Sequence, residues 1–411
     1  MMHFDFRNIV CYIIIITLLF RIFRNNKGVA MPGKLISPSP TVFGGLLKSA
    51  RNGIGYTLKE VSESLGLAIS TISEIEAGKR RVSMVELYKF SRLYQRPIDF
   101  FFDQQESNKS FMALYRVADE ASIEKKIFVD FHELCRDYKS LQQLMKTPVT
   151  SGVPDYSAVQ LDNYEKAETL AELERSQLGL NGQPIKDIYD LLENKRGIKI
   201  FHLPEDTGNF SGAFTCDESL GACFLINSKH SLRRRTFTVA HEYAHCLAHR
   251  NQLAHVDTYQ NFTTRNPRER FANAFAAAFL MPKNTINELL NQLSPDLSGS
   301  VLPETLLRMA IYFGVSYDAM AWRLVSLRKL LRPQCEFLVD EQTKSTAIAK
   351  FFGYNSDDNS KPEIVPGNYK YLAYTAYKKR LISFEKLAEL LRKNFYELKQ
   401  EISDSNTEGD E

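Results

Sequence analysis

At 411 residues, 44% hydrophobic and 25% charged, the chain fits a soluble, folded protein of two or three domains, and a net charge of +3 is too small to imply a general polyanion binder. Six cysteines, at positions 11, 135, 216, 223, 246 and 335, form no CxxC pair. They fit reduced thiols better than a disulfide framework or zinc ribbon, which predicts a cytoplasmic protein.

Residues 1–43 contain an almost continuous apolar run, Ile9 to Phe20, bounded by Arg21 and Arg24. At ~1.5 Å per residue this reaches about 18 Å as a helix, short of the roughly 30 Å hydrocarbon core. Basic residues follow the run and no small-x-small cleavage site is evident, so export is not expected. The preferred reading places the true start at Met31; a weak membrane anchor is second.

Residues 44–103 read as an all-helical module. Thr57, with Glu60 three residues on, forms a capping box ahead of Leu58–Leu65, which stops at Gly66. Ser70–Ala77 follows, closed by Gly78, with Ile72 and Ile75 inward and Ser70, Thr71, Ser73 and Glu74 outward. Two short helices around a Gly-containing turn fit a helix-turn-helix. The run Thr71-Ile72-Ser73-Glu74-Ile75-Glu76-Ala77-Gly78-Lys79-Arg80, with Leu87, Phe90 and Ser91, resembles the Xre or lambda-repressor type of DNA-binding domain. Leu58 stands where that family usually has a Gln. Candidate DNA contacts are Ile69, Ser70, Thr71, Ser73 and Glu74 toward bases and Lys79, Arg80 and Arg81 toward phosphate. A protein-recognition module that no longer reads DNA is the competing reading, since acidic residues nearly balance basic ones.

Residues 104–165 read as a connector, helical from Ile123 to Met145 and loop-like around Pro148–Pro154. His132-Glu133-Leu134-Cys135 has no second His and is read as structural.

From 166 to 330, three short alternating runs, near Ile198–His202, Gly212–Cys216 and Ala222–Ile226, predict a small sheet able to take an extended substrate along its edge. His241-Glu242-Tyr243-Ala244-His245 follows on a segment free of Gly and Pro. On a helix this spacing puts both imidazoles on one face as zinc ligands, with Glu242 as general base. Satisfied core histidines are the bland alternative, and a third ligand decides. His249 cannot curl back onto a metal held between the first two, so a second helix is expected to supply it. Glu269 heads the Ala-rich segment to Leu280, sharing a face with Asn273, which would orient a ligand. For Glu269 the competing reading is a solvated first-turn carboxylate.

These residues, with Pro184–Tyr189, Gly197–Ile200, Ser211-Gly212, Ile226-Asn227, Arg234–Ala240, Leu280-Met281-Pro282, Phe313–Ser316 and Arg323-Leu324, resemble the ImmA/IrrE family of zinc metallopeptidases. The resemblance implies His241, His245 and Glu269 as ligands of one Zn²⁺ and Glu242 as catalytic base; Mn²⁺ or Fe²⁺ would suit the same donors. Tyr243-Ala244 replaces the commoner Leu-Gly, predicting a narrower cleft, and Phe271 stands where a polar residue is common.

Helices are expected after Pro303, and a C-terminal helical region from 331 to 403, followed by a disordered acidic tail at 404–411. The fold class is mainly α with a small β-sheet (α+β). The expected function is a DNA-binding transcriptional regulator fused to an endopeptidase that cleaves a partner helix-turn-helix repressor. Its partners would be a double-stranded DNA operator and that protein, with a homodimer on paired half-sites open. A regulator whose metal domain senses a ligand or partner without cleaving, or an antitoxin-like protein, is the alternative.

Overall fold

The computed structural model describes residues 40–54, 56–94, 98, 101, 125–147, 152–157, 163–204, 210–217, 220–250, 254–258, 266–293, 302–340 and 361–407. The apolar run at 9–20 and Met31 lie outside them. The fold is mainly α with one small sheet, and among the described residues no helix is long and apolar enough to cross a membrane.

The amino-terminal module comprises α1 (Pro40–Gly53), α2 (Leu58–Leu65), α3 (Ile69–Glu76) and α4 (Met84–Leu93). Thr57 and Glu60 form the expected reciprocal capping box, and Gly66 ends α2 at φ 67°. Ser83 and Glu86 cap α4 in the same way. Local chemistry thus fixes the starts of α2 and α4, and Leu47, Val61, Ile72, Ile75, Leu87 and Phe90 then close a small core. The first helix starts at Pro40, ahead of the boundary expected at 44, and packs tightly against the end of α3. A Cβ on Gly44 would sit 2.4 Å from the Ile75 carbonyl oxygen, so only glycine permits this approach. Beside it, Arg51 clamps Glu76 with two bonds, of 2.6 and 2.9 Å.

The larger part begins with α5 (Lys125–Leu144), α6 (Tyr164–Gln177) and α7 (Ile188–Arg196), then β1 (Lys199–Leu203), β2 (Phe210–Asp217) and β3 (Gly221–Asn227). After α8 (Leu232–Ala248) come β4 (Ala254–Thr258), α9 (Pro267–Leu280), α10 (Lys283–Leu293), α11 (Pro303–Phe313), α12 (Tyr317–Ser326) and α13 (Arg332–Asp340). The chain closes with α14 (Gly367–Lys378), α15 (Phe384–Leu390) and α16 (Phe395–Thr407). Strand order is β1-β3-β2-β4, with β1 and β3 parallel and the other pairs antiparallel. Three strands fall where alternation placed them. The fourth, β4, went unread because Ala-His-Val-Asp-Thr is too short and too weakly apolar to declare itself without its pairing to β2.

Helices cover both faces of the sheet, which is why β1 and β3 are buried along their whole length. Ile200, Phe214, Phe224 and Ile226 face a core shared with α6 to α13. Phe201, Phe210, Ala213 and Leu225 face a second core. Into that core α5, within the segment expected to be a connector, sends Phe128, Phe131 and Tyr138, alongside Tyr369, Leu372, Leu387 and Leu398 of the last helices. Residues 404–407, expected in the tail, continue α16.

Candidate metal centre

Helix α8 carries the sequence motif into the interior: Val239 to Leu247 are all buried. The start of α9 is fixed by Asn266, whose side chain accepts from the Arg268 N–H, and by Pro267 in the first turn. Ala272 and Ala276 let α9 approach α8 closely, and Glu269 then falls opposite the two histidines. At 2% exposure Glu269 is not a solvated first-turn carboxylate.

His241 Nε2 and His245 Nε2 lie 3.0 Å apart, and Glu269 brings its oxygens to 3.3 Å from the first and 3.5 Å from the second. Donors about 2.0–2.1 Å from a tetrahedral zinc sit about 3.3–3.4 Å from one another, so the triad has the dimensions of three corners of such a site. Among the described residues these three are the group able to hold a metal ion.

The ring orientations fit that use. His241 Nδ1 is 2.9 Å from Asn273 Oδ1, so an Nδ1–H donated to the amide oxygen leaves the Nε2 lone pair toward Glu269. His245 is oriented by His249, Nδ1 to Nδ1 at 2.9 Å, and by near-parallel stacking on Phe214. His249 thus stands behind a candidate ligand and outside the group of three that could hold a metal ion. Its i, i+4 spacing from His245 was the signal for this supporting role, overlooked while it was weighed only as a metal donor. Phe271 packs edge-on to His249, supplying an apolar wall where a polar residue is common. Burial holds His245 well down, at about 4, so the imidazole is neutral, as ligation requires.

Glu242 points to β2, at Gly212. A Cβ there would lie 2.9 Å from Glu242 Oε1 and 2.6 Å from Thr238 Cγ2, so glycine makes room for the carboxylate. Tyr243 does not narrow a cleft. It is fully buried on the opposite side of α8, where its hydroxyl donates to Glu174 and accepts from Arg196 Nε at 2.9 Å. Arg196 also donates to Glu174 at 2.7 Å, completing a buried tyrosine–arginine–carboxylate cluster. The helical step explains the difference: residue 243 projects away from the face shared by 241 and 245. Arg323 is likewise architectural, donating to Glu168 and to the Met281 carbonyl.

On the helix-turn-helix, Ile69, Ser70, Ser73 and Glu74 are exposed along α3 and Thr71 is half-buried, while Ile72 and Ile75 are in the core. Lys79 and Arg81 are exposed; Arg80 differs in being tied to Glu86 at 2.9 Å.

Comparison with known proteins agrees with this division. Residues 47–101 match the helix-turn-helix family model, and residues 193–325 match the model described as IrrE N-terminal-like domain. The chain is 30% identical over 145 residues to the radiation response metalloprotease IrrE of Deinococcus deserti, covering 34% of this chain and 49% of the relative. It is 30% identical over 131 residues to the protein of the same name from Deinococcus radiodurans, covering 31% and 38%. The matches therefore span less than half the length of these relatives. The chain joins a helix-turn-helix domain to an IrrE N-terminal-like domain.

Proposed function

We propose that this chain is a DNA-binding transcriptional regulator whose second domain is a zinc-dependent endopeptidase acting on a partner helix-turn-helix repressor. The observation that carries the reading is the convergence of His241, His245 and Glu269 with Glu242 on the same helix. When bound, zinc would supply Lewis acidity toward a peptide carbonyl and a water molecule. The protein's own work is the rest. Asn273 and His249 hold the two imidazoles, Gly212 leaves space for the Glu242 carboxylate, and Glu242 takes the proton of the attacking water and returns it to the leaving amine. The helix-turn-helix would bring this chemistry to an operator where the repressor also sits. Because β4 pairs along β2, a substrate strand adding to the sheet on this side would align with the outer edge of β4.

The depth of the centre favours a second reading. His241, Glu242, His245 and Glu269 are 0–2% exposed, as suits a regulator whose metal domain responds to a partner without cutting it. Comparing new protein N-termini in cells that express wild type or Glu242→Gln, at rest and under stress, separates the two. A terminus inside a DNA-binding protein, present only with wild type, is the expected result; identical sets of termini would leave the non-proteolytic regulator.

A further inference from the structure

A cavity of about 270 Å³ lies away from the metal centre, where α7, β1 and the start of α8 meet the segment leading into α14. Residues 361–366 run along the outer side of β1, and the backbone N–H of His202 donates to the Ile364 carbonyl at 3.0 Å. The IrrE-like domain and the carboxyl-terminal region therefore build the cavity jointly. Ile200, Leu232 and Val365 give it an apolar wall, and the rings of Tyr189 and His202 pack together in its lining with centroids 5.1 Å apart.

The charged groups around the cavity are already engaged. Glu193 accepts from the Gly367 and Asn368 N–H groups at 3.0 Å each, Glu363 pairs with Lys370 at 3.2 Å, and Arg235 has interactions of its own within the protein. Two acids face two bases, so the lining selects neither sign, and an ion entering it would lose water without a counter-charge reserved for it. The polar atoms still open to a ligand belong to neutral groups. His202 Nδ1 lies 3.0 Å from the Glu363 carbonyl oxygen, which can only accept, so Nδ1 carries the hydrogen and Nε2 of the neutral ring is an acceptor. Burial, reinforced by the Arg235 charge, lowers His202 to about 4 and keeps it neutral at physiological pH. His202 is 6% exposed, and neither its Nε2 nor the Tyr189 hydroxyl has a hydrogen-bond partner among the described residues. Such groups in a protein interior ordinarily find one.

We propose that this cavity binds a small uncharged molecule with an apolar body and one head group that both donates and accepts a hydrogen bond, the chemistry shared by alcohols and primary carboxamides. His202 Nε2 accepts from the head group, the Tyr189 hydroxyl donates to its oxygen, and Ile200, Leu232 and Val365 take the apolar body. The volume sits just below the usual span of small-molecule pockets, which suits a ligand of this size and excludes a nucleotide. This site stands whether or not the metal centre cleaves peptides.

The test is isothermal titration calorimetry of the full chain with methyl isobutyl carbinol, isocaproamide, methyl isobutyl ketone and isocaproate, which share a carbon skeleton. The carbinol and the amide donate and accept; the ketone and the carboxylate only accept. Saturable binding of the carbinol or the amide is expected, with its donorless counterpart weaker by about tenfold, the cost of leaving the buried His202 nitrogen unpaired. Preference for the carbinol assigns an alcohol, and preference for the amide a carboxamide. Tyr189→Phe and His202→Phe should each weaken the preferred probe by a similar factor. Should His202→Phe fail to fold by circular dichroism, Tyr189→Phe and the donorless probes on wild type decide. The assignment is overturned by no binding of carbinol or amide to folded wild type at millimolar concentration, by ketone or isocaproate binding as tightly as either, or by affinities indifferent to Tyr189→Phe.

Discussion

The two functional surfaces are built on opposite plans. The outward face of α3 and the turn after it lie within thirteen consecutive residues, 69–81, with most of the side chains in water. The candidate metal centre draws on two helices 28 positions apart, from His241 to Glu269, and every candidate donor is buried. In the first, folding and recognition use different residues, because Ile72 and Ile75 build the core while Ser73 and Glu74 face out. In the second the two roles are interleaved on one buried helix: Tyr243 and His245 stand two positions apart, one anchoring the domain and the other offering a candidate ligand atom. Substitutions should therefore separate cleanly in the helix-turn-helix and be entangled in the metal domain.

The sharpest break of that pattern would be Glu242→Gln. It removes a base while keeping the shape beside Gly212, so peptide cleavage should fall by about 10²–10⁴-fold with unchanged operator binding and unchanged zinc content. Zinc analysis and gel-shift titration beside the cleavage assay check this, and loss of metal would show that Glu242 also holds the site together. Next in size is Glu174→Ala. Removing a fully buried carboxylate leaves Arg196 facing the Tyr243 hydroxyl without its counter-charge and should cost about 3–5 kcal/mol of domain stability, read by denaturant unfolding. A loss below about 1 kcal/mol would mean that the cluster is replaceable packing.

Legibility in the sequence followed the same divide. Thr57 with Glu60, Gly66, and the pair His241 and His245 are written in short spacings, and each falls in the structure where that spacing puts it. Glu269 could be chosen because it heads a segment rich in small residues and shares a helix face with Asn273. What stayed hidden depends on long-range packing. The bond from Tyr243 to Glu174 spans 69 positions and that from His202 to Glu363 spans 161, and no local period encodes either. The role of α5 was missed for a related reason: its Phe128, Phe131 and Tyr138 show an apolar face but not which face of the sheet it meets. The fourth strand exists through its partner alone.

A third prediction comes from acid. His202 is neutral in the folded protein down to about pH 4, whereas the unfolded chain takes up that proton near 6.5. Below 6.5 the unfolded state thus binds more protons, and stability falls as pH drops from 6.5 toward 4, by up to ~3 kcal/mol from this group. His202→Gln should flatten that part of the stability curve relative to wild type. Parallel curves for the two proteins would place the proton uptake elsewhere.

The smallest effects test whether folding and recognition really separate in the helix-turn-helix. Thr57→Ala removes the side chain that accepts from the Glu60 N–H and should cost ~1 kcal/mol of module stability. Thr57 is a cap, so the salt dependence of operator binding should not change. Lys79→Ala and Arg81→Ala should do the reverse. Both side chains are exposed and unneeded by the core, so melting should hold while each lost phosphate contact lowers the slope of log affinity against log salt by roughly 0.9. Arg80→Ala sits between the two classes because its guanidinium bonds Glu86, the partner that caps α4. It should lower both stability and slope, each by less than the pure variants do. A module in which Lys79→Ala and Arg81→Ala leave the slope untouched recognises protein instead of DNA, and the contrast between its surface and the buried metal centre would then be one of exposure alone.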